Sequence, residues 1–310
     1  MKIIFFGSDD FALYHLEKIK SSRHEILCCV TKEDKERDRH LQLKPTLIKE
    51  FALQHNIPLL QPEKIKDPYF ADQLRSYHAD LFVVIAYGKI LPQEILDVPA
   101  IFSVNVHASL LPKYRGAAPI NWAVINGETE TGITIIKMSA QLDAGEMISS
   151  VKLPILKDQT SGDLRMRLMS SGGELLMKTL EQIEKKDFPL IAQDGRQVTS
   201  APKISKELCQ IDWKKSAKQI HDLVRGLLPR PAAFCLFEEK ALKILESDLL
   251  EEGKVSAKPG EIVSIDKTGL SVMTGRGILI IKKVNLESSK SMDIHSFLRG
   301  HAIKVGDFLK

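Results

Sequence analysis

Three polar residues in this chain of 310 have the types and spacing for acyl-group chemistry: Asn105, His107 and Asp143. Asn105 and His107 fall near the end of a short β-branched run at 101–106, which reads as a buried strand. Side chains two apart on a strand share a face and lie about 6.7 Å apart along it. An amide donor and an imidazole therefore lean into one space. The chain then breaks out through Ser109, Leu110, Leu111 and Pro112, and the proline ends any regular structure. Asp143 stands in a second loop, shortly before Gly145. An amide and an imidazole can hold an oxyanion, and a carboxylate can orient and charge the imidazole. The set suits acyl transfer by direct attack. Ser109 has no base beside it other than His107, so no covalent enzyme intermediate is expected.

The elements that must position these groups read as an α/β domain. Residues 2–6 form an apolar first strand, Asp9 or Asp10 caps the helix that follows, and 24–30 form a second strand. This βαβ opening carries only Gly7 in its first turn, so the dinucleotide fingerprint is absent and a nicotinamide cofactor is not supported. The most apolar run, 79–86, should lie centrally in the sheet. Tyr87 to Pro92 follow at its C-terminal end, where open α/β sheets bind ligands. Strands at 131–138 and 146–153 enclose the Asp143 loop. Thr160 with Asp163 marks the start of a helix whose stripe is Leu164, Leu168, Leu175, Leu176, Leu180 and Ile183.

Residues 188–207 lose that period and read as an interdomain linker. Beyond them come an amphipathic helix at 216–227 and short strands at 233–237, 242–246, 260–265, 270–274 and 278–285, separated by turn residues. That pattern suggests a small OB-like β-barrel. The expected layout is a Rossmann-like, mostly parallel sheet domain over 1–188, a linker over 189–207 and the OB-like domain over 208–310. One further stretch, 31–44, is long, charged and without a core period. It reads either as a solvated loop or as one that contacts a large substrate.

The formal charge is +4, and 206–310 hold 18 lysines and arginines against 14 acidic residues, so the excess sits in the C-terminal part. Such a weakly basic domain is compatible with a polyanionic partner without requiring one. Cys28, Cys29, Cys209 and Cys235 form no C-x-x-C pair and read as reduced thiols in a cytoplasmic protein. Histidine and cysteine spacing predicts no metal. No apolar run is long enough to span a membrane.

The motif N-x-H-x-S-L-L-P, followed by Arg115-Gly116 and later Leu142-Asp143-Ala144-Gly145, resembles the folate-dependent formyltransferases. The resemblance covers nearly the whole chain, with further matches at Phe5 to Ala12, Ala86 to Pro92, Ile211-Asp212-Trp213 and Phe297-Leu298-Arg299-Gly300. It is strongest to members that formylate methionyl initiator tRNA. It implies 10-formyltetrahydrofolate as co-substrate, no metal, and a monomeric enzyme of translation initiation. It implies catalytic roles for Asn105, His107 and Asp143 and folate binding by Ser109, Leu110, Leu111 and Pro112. Members usually carry a glycine-rich basic loop of the type P-x-G-R-G-K-K. Here the segment runs from Glu36 to Gln42, and Arg39 keeps the arginine in register, so the resemblance implies tRNA binding by Arg39. The stretch Leu228-Pro229-Arg230-Pro231 departs from the family's N-P-W-P. The alternative function is a nucleotide-amino-sugar N-formyltransferase, which the chain resembles through residues 110–116 and 126–132.

Overall fold

A computed structural model of the chain describes residues 1–37, 42–250 and 257–310. It divides into two compact units: Met1–Pro119, Thr131–Leu153 and Arg165–Pro202 form the first, and Ile120–Glu130, Pro154–Leu164 and Lys203–Lys310 the second.

The strands of the first unit are β1 (Lys2–Gly7), β2 (Glu25–Val30), β3 (Lys35–Arg37), β4 (Gln42–Lys44), β5 (Leu59–Leu60), β6 (Leu81–Ile85), β7 (Phe102–His107), β8 (Glu130–Lys137) and β9 (Met147–Pro154). The main sheet has the order β5-β2-β1-β6-β7-β8-β9. The pairs from β5 to β7 are parallel, and β8 runs antiparallel to β7. β6 is the central strand, and all its residues are buried, as its unbroken apolar run requires. β8 pairs with the C-terminal end of β7, setting Ile136 opposite Asn105 and Thr134 opposite His107. That ladder fixes the point at which β7 delivers its polar side chains.

The helices are α1 (Asp10–Lys20), α2 (Leu47–Gln54), α3 (Pro68–Ser76), α4 (Gln93–Leu96), α5 (Pro119–Ile125) and α6 (Ser161–Lys185). Their starts follow from local chemistry. The Asp9 carboxylate accepts the Ala12 N–H at 3.0 Å. Thr160 and Asp163 form a reciprocal cap at 3.1 Å in each direction. In α1 the buried face is Phe11, Ala12, His15, Leu16 and Ile19, so a histidine enters the core while Leu13 stays half-buried.

Two expectations are revised. Part of the 31–44 stretch is regular, since β3 and β4 pair as an antiparallel ribbon. A periodicity reading finds strands through a buried face, which a two-stranded ribbon need not have. Residues 38–41 lie outside the described residues. Secondly, residues 189–202 belong to the first unit instead of bridging freely. Met147 and Ile191 exchange backbone bonds at 2.8 and 2.9 Å. Arg115 N–H donates to Thr199 O at 2.9 Å, and Ala201 N–H donates to Arg115 O at 2.7 Å.

The second unit contains α7 (Ala217–Leu227), β10 (Ala233–Phe237), β11 (Lys240–Leu250), β12 (Ile262–Asp266), β13 (Gly269–Met273), β14 (Ile278–Leu286), β15 (Met292–Asp293) and α8 (Ile294–Gly300). Its antiparallel order is β10-β11-β14-β13-β12, with β15 on β14. The tail closes it. Lys310 N–H donates to Leu236 O at 3.1 Å beside β10, and Ile262 N–H of β12 donates to Asp307 O at 2.8 Å. The tail thus pairs with both edge strands and leaves the five-stranded sheet as a small barrel. The core inside includes Trp213, Ile220, Val224, Leu227, Cys235, Leu242, Leu279 and Phe297.

The two shorter segments join this unit for a visible reason. Asn121 Nδ2 donates to Gly226 O at 2.8 Å, Ser161 Oγ donates to Leu228 O at 2.6 Å, and Ile125 packs on the core. Among the described residues no helix is long and apolar enough to cross a membrane.

Candidate active site

The C-terminal end of β7 and the loop between β8 and β9 bring Asn105, His107 and Asp143 together. Asn105 Nδ2 approaches Asp143 Oδ1 at 3.4 Å, a long contact, and His107 Nδ1 lies 3.5 Å from Asp143 Oδ2. The His107 and Asp143 side chains are only 5% and 10% exposed, so these charges act across little water.

The other imidazole nitrogen, Nε2, is 2.9 Å from the Tyr114 carbonyl. A carbonyl only accepts, so Nε2 carries a hydrogen, and Nδ1 is left to face the carboxylate. An imidazolium in this place would donate at both ends. Tyr114, Asp143 and Gly116 all sit at positive φ, +63°, +49° and +127°. For Tyr114 and Asp143 that is the left-handed region, uncommon outside glycine and concentrated at functional sites.

Two glycines explain parts of the motif. A Cβ on Gly145 would come within 1.7 Å of the Lys137 carbonyl. One on Gly116 would sit 2.6 Å from the Ala201 carbonyl, on a backbone that already disfavours a side chain. Gly116 N–H donates to Asp143 Oδ2 at 2.8 Å, tying the Arg115-Gly116 turn to the carboxylate loop.

The segment after His107 is held from within. Ser109 is fully buried, and its hydroxyl donates to Lys113 O at 2.7 Å. Thr134 Oγ1 donates to Ser109 O at 2.7 Å and accepts the Leu111 N–H at 3.1 Å. The Ser109 side chain therefore braces its loop, Leu111 is buried, and the half-buried Leu110 and Pro112 carry the accessible surface. The Leu111–Pro112 bond is cis. Arg39, expected at a tRNA contact, lies outside the described residues.

Sequence reading missed Tyr114, Gln193 and Thr199. Tyr114 N–H donates to Thr199 Oγ1 at 2.9 Å. The Gln193 amide donates to Asp143 O and Gly145 O, both at 2.8 Å, and accepts from Arg115 Nε and Nη2 at 3.0 and 2.7 Å. Gln193 and Thr199 lie in a stretch without period, and no local signal marks them.

A mostly parallel sheet with an amide and a buried imidazole at one strand end and a carboxylate in a neighbouring loop suits group transfer of the acyl type. The chain belongs to the formyl transferase family: residues 1–180 match the formyl transferase domain and residues 203–302 the formyl transferase C-terminal domain. It is 42% identical over 309 residues to a methionyl-tRNA formyltransferase of Acetivibrio thermocellus, covering 100% of this chain and 99% of the relative. It is 40% identical over 306 residues to the methionyl-tRNA formyltransferase of Clostridioides difficile, covering 99% of each. Its fold matches, with a TM-score of 0.67 and 20% identity, the crystal structure of an N-formyltransferase from Helicobacter canadensis in complex with folinic acid and dTDP-3-aminofucose, over 91% of this chain and 99% of that one.

Proposed function

We propose that this chain moves the formyl group of 10-formyltetrahydrofolate from N10 to the α-amine of methionine on initiator tRNA, as a cytoplasmic monomer. The observation that carries the proposal is the convergence of Asn105, His107 and Asp143 at the end of β7. Full-length relatives named for this reaction support the acceptor.

The neutral amine attacks the formyl carbon, and the carbonyl electron pair moves onto oxygen. The Asn105 amide has a second hydrogen, beyond the one directed at Asp143, to give to that oxyanion. The His107 ring, held between Tyr114 O and Asp143, adds positive charge beside it. The Asp143 carboxylate takes the amine proton, directly or through water. Collapse reforms the carbonyl and breaks the bond to N10, which leaves with a proton as tetrahydrofolate. Leu110 and Pro112 offer apolar surface to the folate, while Ser109 and Leu111 shape the segment from inside. The stretch 206–310, with its basic excess, supplies the tRNA platform together with Arg39.

Formylation of charged initiator tRNA, measured beside candidate amino-sugar nucleotides with 10-formyltetrahydrofolate as donor, tests the reading. Transfer to tRNA alone is expected. Transfer to a sugar nucleotide but not to tRNA would replace this acceptor with the alternative. Arg39→Ala is expected to lower kcat/KM for tRNA by about 10-fold or more if the guanidinium reads a base edge. It should leave transfer to small amines unchanged.

A further inference from the structure

We infer that Gln193 is a positioning residue of the formyl-transfer site, holding the loop of Asp143 and the turn of Tyr114–Gly116 in the relation that brackets His107. The inference rests on the function proposed above but concerns a residue outside its chemistry.

A primary amide offers two hydrogens and two lone pairs. Gln193 uses all four: its hydrogens go to the Asp143 and Gly145 carbonyls, and its oxygen takes two guanidinium hydrogens of Arg115. One half-buried side chain is thus fully committed between the two loops that meet at His107. The chemistry of the position is narrow. Two carbonyls need a paired donor and a guanidinium needs an acceptor, and glutamine supplies both at this reach. Glutamate would set an oxygen against two carbonyl oxygens.

The loops it joins are those with left-handed backbone. Asp143 at φ +49° turns its carboxylate to Gly116 N and His107 Nδ1, and Tyr114 at φ +63° turns its carbonyl to His107 Nε2. Such conformations persist where the surroundings over-determine them. Gln193 fixes the peptide of one, and Thr199 accepts the N–H of the other at 2.9 Å. Both belong to 189–202, and the bonds between Arg115 and residues 199–201 anchor that stretch beside the site.

The test uses the full chain with Gln193→Met, Gln193→Glu and, as a comparison, Gln197→Met, an exposed side chain that bonds to Asp194. Kinetics are measured on charged initiator tRNA, and the His107 ring nitrogens are followed by NMR in histidine-labelled protein. Gln193→Met and Gln193→Glu should lower kcat by up to about 10²-fold, the scale of a misplacement near 1 Å. KM for the folate donor should hold, and the His107 signals should move. Gln197→Met should change none of these. Unchanged kcat in both Gln193 variants overturns the inference, as does a fall in kcat with the His107 signals unmoved. If either variant fails to fold, Gln193→Asn, which keeps the amide on a shorter stem, is read by the same criteria. Should the wild-type chain fail to formylate tRNA, the functional reading falls, and the His107 spectra alone decide the positioning role.

Discussion

Asp143 Oδ2 accepts the backbone N–H of Gly116 at 2.8 Å and faces His107 Nδ1 at 3.5 Å, so one oxygen serves both the loop and the imidazole. Its other oxygen faces the Asn105 amide. All these neighbours are donors or can become so, and only a carboxylate meets them all.

Asp143→Asn therefore sets an NH2 group against either Gly116 N–H or the Asn105 amide. The substitution is expected to abolish most activity and to cost about 1–3 kcal/mol of stability, the usual penalty for a buried group left without its partner. Urea unfolding alongside single-turnover kinetics checks both. Full stability with lost activity would remove the structural half of this role.

Asn105→Ala removes the proposed oxyanion donor without emptying the core, since its side chain is half-buried at the strand end. A fall in kcat of about 10²–10³ is expected. Affinity for a folate analogue, measured by calorimetry, should stay near that of the wild-type chain. Loss of that affinity would assign Asn105 to ground-state binding.

His15 gives the fold a pH signature. Burial, with the nearby Arg165 charge adding to it, pushes its imidazole down to about 4, while the bond from Nδ1 to Phe11 O at 2.7 Å opposes the shift. Among the described residues its Nε2 is buried without a hydrogen-bond partner. The unfolded chain takes up a proton near pH 6.5 and the folded one only near 4. Between those values the unfolded state binds more protons, so stability falls as pH drops through this window and is flat above it. The loss amounts to about 3 kcal/mol across the window. The difference between the wild-type and His15→Leu unfolding curves from neutral pH to pH ~4 should carry that slope; parallel curves would show that His15 is not its source.

The four cysteines are free and buried. Burial pushes the Cys28, Cys29 and Cys235 thiols up to about 12 and raises Cys209 as well. Thiols held protonated do not react as nucleophiles. Iodoacetamide at about pH 8 should label none of them in the folded protein and all of them after unfolding. Rapid labelling of any one in the native state, read by mass spectrometry, would contradict the packing described.

Much of the site was legible because it is local. Asn105 and His107 share a strand face, and Asp143 is announced by a glycine that no other residue could replace against Lys137 O. The caps at Asp9 and Thr160 were legible for the same reason, since each is closed within a few residues. The remainder depends on partners far apart in sequence. Tyr114 meets Thr199, and Asp143 meets Gln193, across stretches with no hydrophobic period. The barrel's closure by 306–310 was equally silent, because two edge strands only require some neighbour and do not specify which.

The ladder between Arg115 and residues 199–201 has a practical consequence for anyone who would excise this catalytic domain or transplant it into another scaffold. The matched formyl transferase domain ends at 180, and the helical pattern runs out soon afterwards. A piece cut at either point retains Asn105, His107 and Asp143 but loses Ile191, Gln193, Thr199 and Ala201. It would carry the reacting groups without the brace that aims them. The smallest transplantable catalyst reaches at least to Pro202, more than twenty residues past the end of the domain match.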